Sequence, residues 1–200
     1  MNRAAKATAG VLTAAATMTA AYEGLYTHTY RDSVGVLTIC YGTTNYDRPV
    51  KPGDTYTPAQ CKLMLAEDLK KYDDGLTKCL NHDIPDGMHV AYISFTYNVG
   101  VPTFCKSSVA RDFNSNNYVA SCNALRLYNR AGGKVLKGLD NRRKSEQAAC
   151  LKGINTPLTA TAMVVTPGAL PVADDVEPHL APVTVPIPPV KKPWYERPWG

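Results

Sequence analysis

Two hundred residues with 44% hydrophobic content and a formal charge of +5 suit one compact domain with something attached. From Asn155 onward Asp174, Asp175, Glu177 and Glu196 outweigh Lys191, Lys192 and Arg197, three minus four giving −1, so the rest carries +6. That moderately basic body suits an anionic partner, but it holds no run of five or six Lys/Arg, which argues against nucleic acid, and no C-x-x-C pair or histidine cluster, which argues against a metal site.

At the N-terminus Arg3 and Lys6 precede ATAGVLTAAATMTAAY, which carries no charge and has Val11, Leu12 and Met18 as its only large aliphatics. A confident membrane-spanning helix needs about 20 predominantly apolar residues, so this segment is short and weakly hydrophobic. Three readings stay open: a signal peptide cut after Ala21, an ordinary amphipathic helix, and an uncleaved export signal that holds the chain weakly in a membrane. Its basic flank would orient the rest outward. The amphipathic reading lacks a polar stripe. Cleavage after Ala21 would leave Glu23 second in the mature chain, so a role for that carboxylate requires the uncleaved form.

Next comes EGLYTHTYRDSVGVLTICYGTT, with eight residues between Glu23 and Asp32 and five between Asp32 and Thr38. Cleaving a glycosidic bond calls for one carboxyl group as acid and another to handle water. Tyr30 to Thr44 reads as a hairpin, with Val34, Val36 and Thr38 alternating around Gly35. Asp32 as a turn cap and Thr38 as an ordinary strand residue are the plain alternatives. Asp47 to Asp54 reads as a loop.

Thr57-Pro58-Ala59-Gln60 has the form of a helix start, followed by Cys61, Leu65, Leu69, Tyr72 and Leu76 at three- and four-residue steps. A second, buried helix runs from Pro85 to Gly100. Shorter helices are expected over Ser107 to Asn114 and Tyr118 to Arg130, the latter stopped by Gly132-Gly133, and a last one from about Leu139 to Leu151. No strand–helix alternation, phosphate-binding glycine loop or internal repeat is present, and nothing calls for a cofactor. Ten of the fifteen prolines lie beyond Asn155, so the tail, with Trp194 and Trp199 at its end, should be extended and disordered. The domains expected are therefore an N-terminal segment over 1–22, a body over 23–153 and a Pro-rich tail over 154–200.

Cys40, Cys61, Cys79, Cys105, Cys122 and Cys150 are an even set spread through the body, which fits disulfides in an oxidising compartment. Buried free thiols are the alternative, and the sequence does not choose among the fifteen pairings six cysteines allow.

The Glu-x8-Asp-x5-Thr spacing, YRDSVGVLTICYGTT, TYTPAQC, SFTYNVG and AGGKVLKGLDNRRKSE occur in the order found in phage-type lysozymes of glycoside hydrolase family 24, and this chain resembles them over roughly residues 22–152. It is most similar to the lambdoid-phage endolysins that carry a signal-arrest-release segment. The resemblance implies an α+β, mostly α, lysozyme-like fold with a small N-terminal sheet and a helical main lobe. It implies cleavage, with inversion, of the β-1,4 bond between N-acetylmuramic acid and N-acetylglucosamine in peptidoglycan. Glu23 would be the acid, kept protonated by partial burial, Asp32 the base, and Thr38 the residue that helps place the water. Asn98 would organise the cleft and bind substrate, and of Arg142 and Arg143 one would make a structural salt bridge while the other, taken as Arg143, contacts substrate. His28, between the carboxylates, has no role in the motif and is expected at the surface. The implied life cycle is an exported monomer, tethered to the inner membrane and then released to the periplasm, where the N-terminal segment refolds onto the body. Departures from the family pattern are Leu37 and Tyr128 where Trp is common, Cys40 for a usual Gly and Thr43 for a usual His. A catalytically weak peptidoglycan-binding or wall-remodelling protein is the alternative from another class.

Overall fold

A computed structural model describes residues 4–32, 35–44 and 48–155. Residues 156–200, which hold the prolines of the tail and both tryptophans, lie outside the described residues. The chain runs α1 (Ala9–Ala20), β1 (Tyr26–Arg31), β2 (Leu37–Cys40), β3 (Thr43–Thr44), α2 (Pro58–Leu76), α3 (Asp86–Val99), α4 (Val101–Lys106), α5 (Ser108–Asn114), α6 (Tyr118–Ala124), β4 (Arg130–Ala131), β5 (Lys134–Val135) and α7 (Lys137–Gly153). The three early strands form an antiparallel sheet in the order β1-β2-β3, and β4 and β5 form a separate ribbon. This is the mostly helical α+β fold with a small N-terminal sheet that the sequence implies.

The N-terminal segment is a helix docked on the body. Thr8 caps α1 by accepting the Val11 N–H, and Val11, Leu12, Ala15, Ala16 and Thr19 form its buried stripe. Because much of that stripe is alanine, the backbone lies close against α2 and α3, which it packs on. On the outer side Thr13 and Thr17 donate to the Ala9 and Thr13 carbonyls at 2.9 and 3.0 Å. Their hydroxyl protons are thus satisfied within the helix, so this face does not depend on water for them.

Residues just before α1 are held by acidic groups of the body. Ala5 N–H donates to Asp83 and Ala7 N–H to Asp73, each at 2.9 Å, and Lys6 pairs with Asp74 at 2.6 Å. Asp73 is buried on α2, and its other oxygen meets His89 Nε2 of α3 at 2.5 Å. One carboxylate therefore ties three segments together.

The start of α2 forms as its sequence indicates. Gln60 N–H donates to Thr57 Oγ1 at 3.2 Å, and Thr57 N–H to Gln60 Oε1 at 2.8 Å. Every residue from Gly87 to Thr96 of α3 is buried, which makes it the central helix. Its partner α7 approaches so closely that a Cβ on Gly153 would lie 2.3 Å from Gly87 Cα. Only glycine at both positions permits that crossing.

Three features differ from the pattern expected of the sequence. Gly100, at φ +86°, ends α3, and Pro102 in the first turn begins the unanticipated α4. The helix expected over Tyr118 to Arg130 ends at Ala124 and tightens into a single 3-10 turn over Leu125–Leu127. Gly132 and Gly133, at φ +55° and +75°, make the two-residue turn between β4 and β5 rather than a helix stop.

All six cysteines are paired, as Cys40–Cys61, Cys79–Cys105 and Cys122–Cys150. The loops they close are 21, 26 and 28 residues apart in sequence, worth about 3 kcal/mol each through restriction of the unfolded chain. Cys40 holds a left-handed backbone with φ +58°. That conformation explains a glycine preference at this point, and the bridge to α2 offsets the roughly 1–2 kcal/mol a side chain costs there.

Candidate active site

Glu23 sits on the short link between α1 and β1, and Asp32 directly follows β1. The two carboxylates expected to carry the chemistry thus flank one strand. That strand is bulged: Tyr26 pairs with Cys40 and Tyr30 with Thr38, so four steps on β1 face two on β2. The extra residues coil the strand and shorten the path between its ends.

Glu23 is anchored by a residue 119 positions away. Arg142 Nη1 donates to Glu23 Oε1 at 2.7 Å, with the Glu23 side chain 16% exposed and Arg142 only 2%. Arg142 is itself fixed. Its Nε donates to Glu146 Oε1 at 3.1 Å and its Nη2 to the Ser94 carbonyl at 3.0 Å. Ser94 Oγ donates to the same Glu146 oxygen at 2.7 Å. The neighbouring Tyr22 donates to Ser145 Oγ at 2.5 Å, and Arg142 lies over its ring. Consecutive residues at the end of the N-terminal segment are thereby locked to α7.

Arg143, expected at the substrate, has no exposed surface in this structure. It pairs with Glu146 at 2.7 Å and lies 4.8 Å over the Phe95 ring centroid. Burial brings its guanidinium down to about 10, although Glu146 opposes the shift. Arg143 is thus held inside the core, away from the surface of the molecule. It is Arg142 that meets the expected acid. Asn98 lies half-buried on the last turn of α3.

Asp32 does cap the turn: its Oδ1 accepts the Val36 N–H at 2.8 Å, and its own N–H donates to the Val36 carbonyl at 2.9 Å. These two bonds orient the carboxylate. Thr38 is 3% exposed and donates to the Val36 carbonyl at 3.2 Å, so its oxygen keeps acceptor lone pairs. His28 is exposed at the surface of β1.

Beside the sheet, a cavity of about 310 Å³ is lined by Gly42, Thr43, Asp68, Lys71, Tyr72, Tyr97 and Val101. Thr43, in the place of a usual histidine, donates to Asp68 at 3.0 Å, and Arg48 pairs with the same carboxylate at 3.0 Å. Tyr97 donates to the Tyr41 carbonyl at 3.1 Å. Burial, and after it the charge of Glu23, holds its hydroxyl well above the ordinary tyrosine range. Among the described residues no group of three or more His, Cys, Asp or Glu side chains is placed to hold a metal ion. Ser94, Arg142 and Glu146 form a buried network behind Glu23 that the sequence does not assemble; the charges of NRRKSE are the one visible signal.

A helical lobe that fixes one carboxylate, facing a small sheet that carries a second carboxylate and a threonine, is the layout of a lysozyme-like glycoside hydrolase. The sequence profile of phage lysozymes matches residues 20–146. An SAR-endolysin of bacteriophage PS119 is 42% identical over 131 residues, covering 66% of this chain and 77% of that protein. An SAR-endolysin of enterobacteria phage P21 is 40% identical over 131 residues, covering 66% and 78%. Among solved structures a mutant of P22 lysozyme superposes with a TM-score of 0.62 at 31% identity, covering 68% of this chain and 94% of the other. The chain belongs to the phage lysozyme family, and it is an endolysin-type muramidase.

Proposed function

We propose that the chain hydrolyses the β-1,4 bond between N-acetylmuramic acid and N-acetylglucosamine in peptidoglycan with inversion, and so lyses the host cell. Glu23 gives a proton to the glycosidic oxygen as that bond breaks. A water attacks the anomeric carbon from the opposite face and passes a proton to Asp32, and Thr38 accepts a hydrogen bond from that water. The observation that carries this reading is the fixing of Glu23 by the buried Arg142 at one end of the bulged strand, with the turn-capping Asp32 at the other. After digestion of purified peptidoglycan, the new reducing ends are expected to be muramic acid. Glucosamine ends, or anhydromuramic ends, would overturn the reading.

We also propose that the chain acts as a monomer and leaves the cytoplasm on its uncleaved N-terminal segment, first tethered to the inner membrane and then free in the periplasm. The lack of charge across α1 and the anchoring of Tyr22 and Glu23 by α7 support it, since a chain cut after Ala21 would lose the helix that carries them. In the docked state, no helix among the described residues is long and apolar enough to cross a membrane. Fractionation of expressing cells is expected to find the full-length chain in the membrane first and the periplasm later. A shortened chain beginning near Tyr22 would refute the tether.

A further inference from the structure

The bulge in β1 does more than bring the ends of the strand together. Residues four apart on a straight strand lie about 13 Å from each other. Here the rings of Tyr26 and Tyr30 have centroids 4.4 Å apart, tilted by 39°. Tyr30 lies opposite Thr38 on β2, and the ring contact brings Tyr26 beside it.

The pair also spans the site. Tyr26 packs back over the residue after Glu23: a Cβ on Gly24 would stand 3.2 Å from Tyr26 Cε2. Tyr30 is two residues from Asp32 and lies across from the buried Thr38. Its hydroxyl is raised by burial first, then by Tyr26 and by the Asp32 charge. Tyr26 remains 45% exposed although the Tyr30 ring lies against it. Core packing does not explain this exposure. A pyranose ring has an apolar C–H face that an aromatic ring covers well, and aromatic surface with a few polar groups nearby is the usual lining of ligand sites.

We propose that Tyr26 and Tyr30 form an aromatic platform on which a sugar ring of the glycan strand stacks between Glu23 and Asp32. Tyr26 supplies the exposed face, and Tyr30 supports it from below. The platform rests on the hydrolase reading above and names the residues that hold the glycan in register with the two carboxylates.

The test uses the full chain and soluble N-acetylglucosamine–N-acetylmuramic acid strands freed of peptide. Binding is measured on Glu23→Gln chains with and without a change at Tyr26, and hydrolysis on otherwise unaltered chains. Tyr26→Ala is expected to weaken binding and raise KM by about tenfold, the scale of one lost stacking contact, with kcat and the melting temperature little changed. Tyr26→Phe and Tyr26→Trp, which keep a ring, are expected to restore both. Unchanged binding and KM in Tyr26→Ala would overturn the platform, as would a Tyr26→Phe chain as weak as the alanine variant. Either result, obtained while the wild-type chain cleaves the strands, leaves the hydrolase reading standing. A wild-type chain that binds but does not cleave them, with the Tyr26 effects on binding intact, fails that reading and not the platform.

Discussion

Replacing Glu146 with alanine is expected to lower the stability of the chain by about 3–5 kcal/mol, the cost of breaking a buried ion pair by removing one partner. Glu146 has no exposed surface, and it is the carboxylate that both Arg142 and Arg143 share, at 3.1 and 2.7 Å. Without it two guanidinium groups stay buried beside each other with no anion of the core between them. The loss corresponds to a melting temperature lower by roughly 10 °C in a chain of this size. Glu146→Gln keeps the shape and the hydrogen bond from Ser94 but not the charge, so it should fall between wild type and alanine. Activity should fall with stability in both variants, because Arg142 loses the contact that aims it at Glu23. A melting temperature within 2 °C of wild type, read by calorimetry, would contradict this account of the core.

Local features of the fold are legible in the amino-acid sequence, and distant ones are not. The Thr57–Gln60 capping box is local, since all its partners lie within one turn, and a local pattern survives translation into three dimensions. The spacing of Glu23, Asp32 and Thr38 is legible for the same reason. Arg142 is not, because its partners Ser94 and Glu23 are 48 and 119 residues away. Neighbouring arginines on a helix point about 100° apart, and only the packing of α7 on α3 decides which one reaches the first carboxylate. The bulge in β1 is hidden as well, because register belongs to a pair of strands and not to either alone. Gly132-Gly133 announces a reversal of the chain, but glycines that end helices and glycines that turn hairpins look alike until the partner strand is seen.

Localisation of the acid is the claim on which the mechanism rests. Glu23→Gln keeps the size of the side chain and an acceptor for Arg142 Nη1, so the fold should persist. The amide has no proton to give to the leaving oxygen, and general acid catalysis of this kind is worth about 10²–10⁴ in rate. Because an amide oxygen accepts less strongly from Arg142 than the carboxyl group does, a small drop in melting temperature should accompany the change. That separates it from Glu146→Ala, which acts on stability first. The most direct measurement is the initial rate of hydrolysis of purified peptidoglycan by folded Glu23→Gln protein, beside wild type at equal concentration. A fall of about 10³-fold with the circular dichroism spectrum unchanged is the predicted result; a rate within tenfold of wild type would show that the acid lies elsewhere.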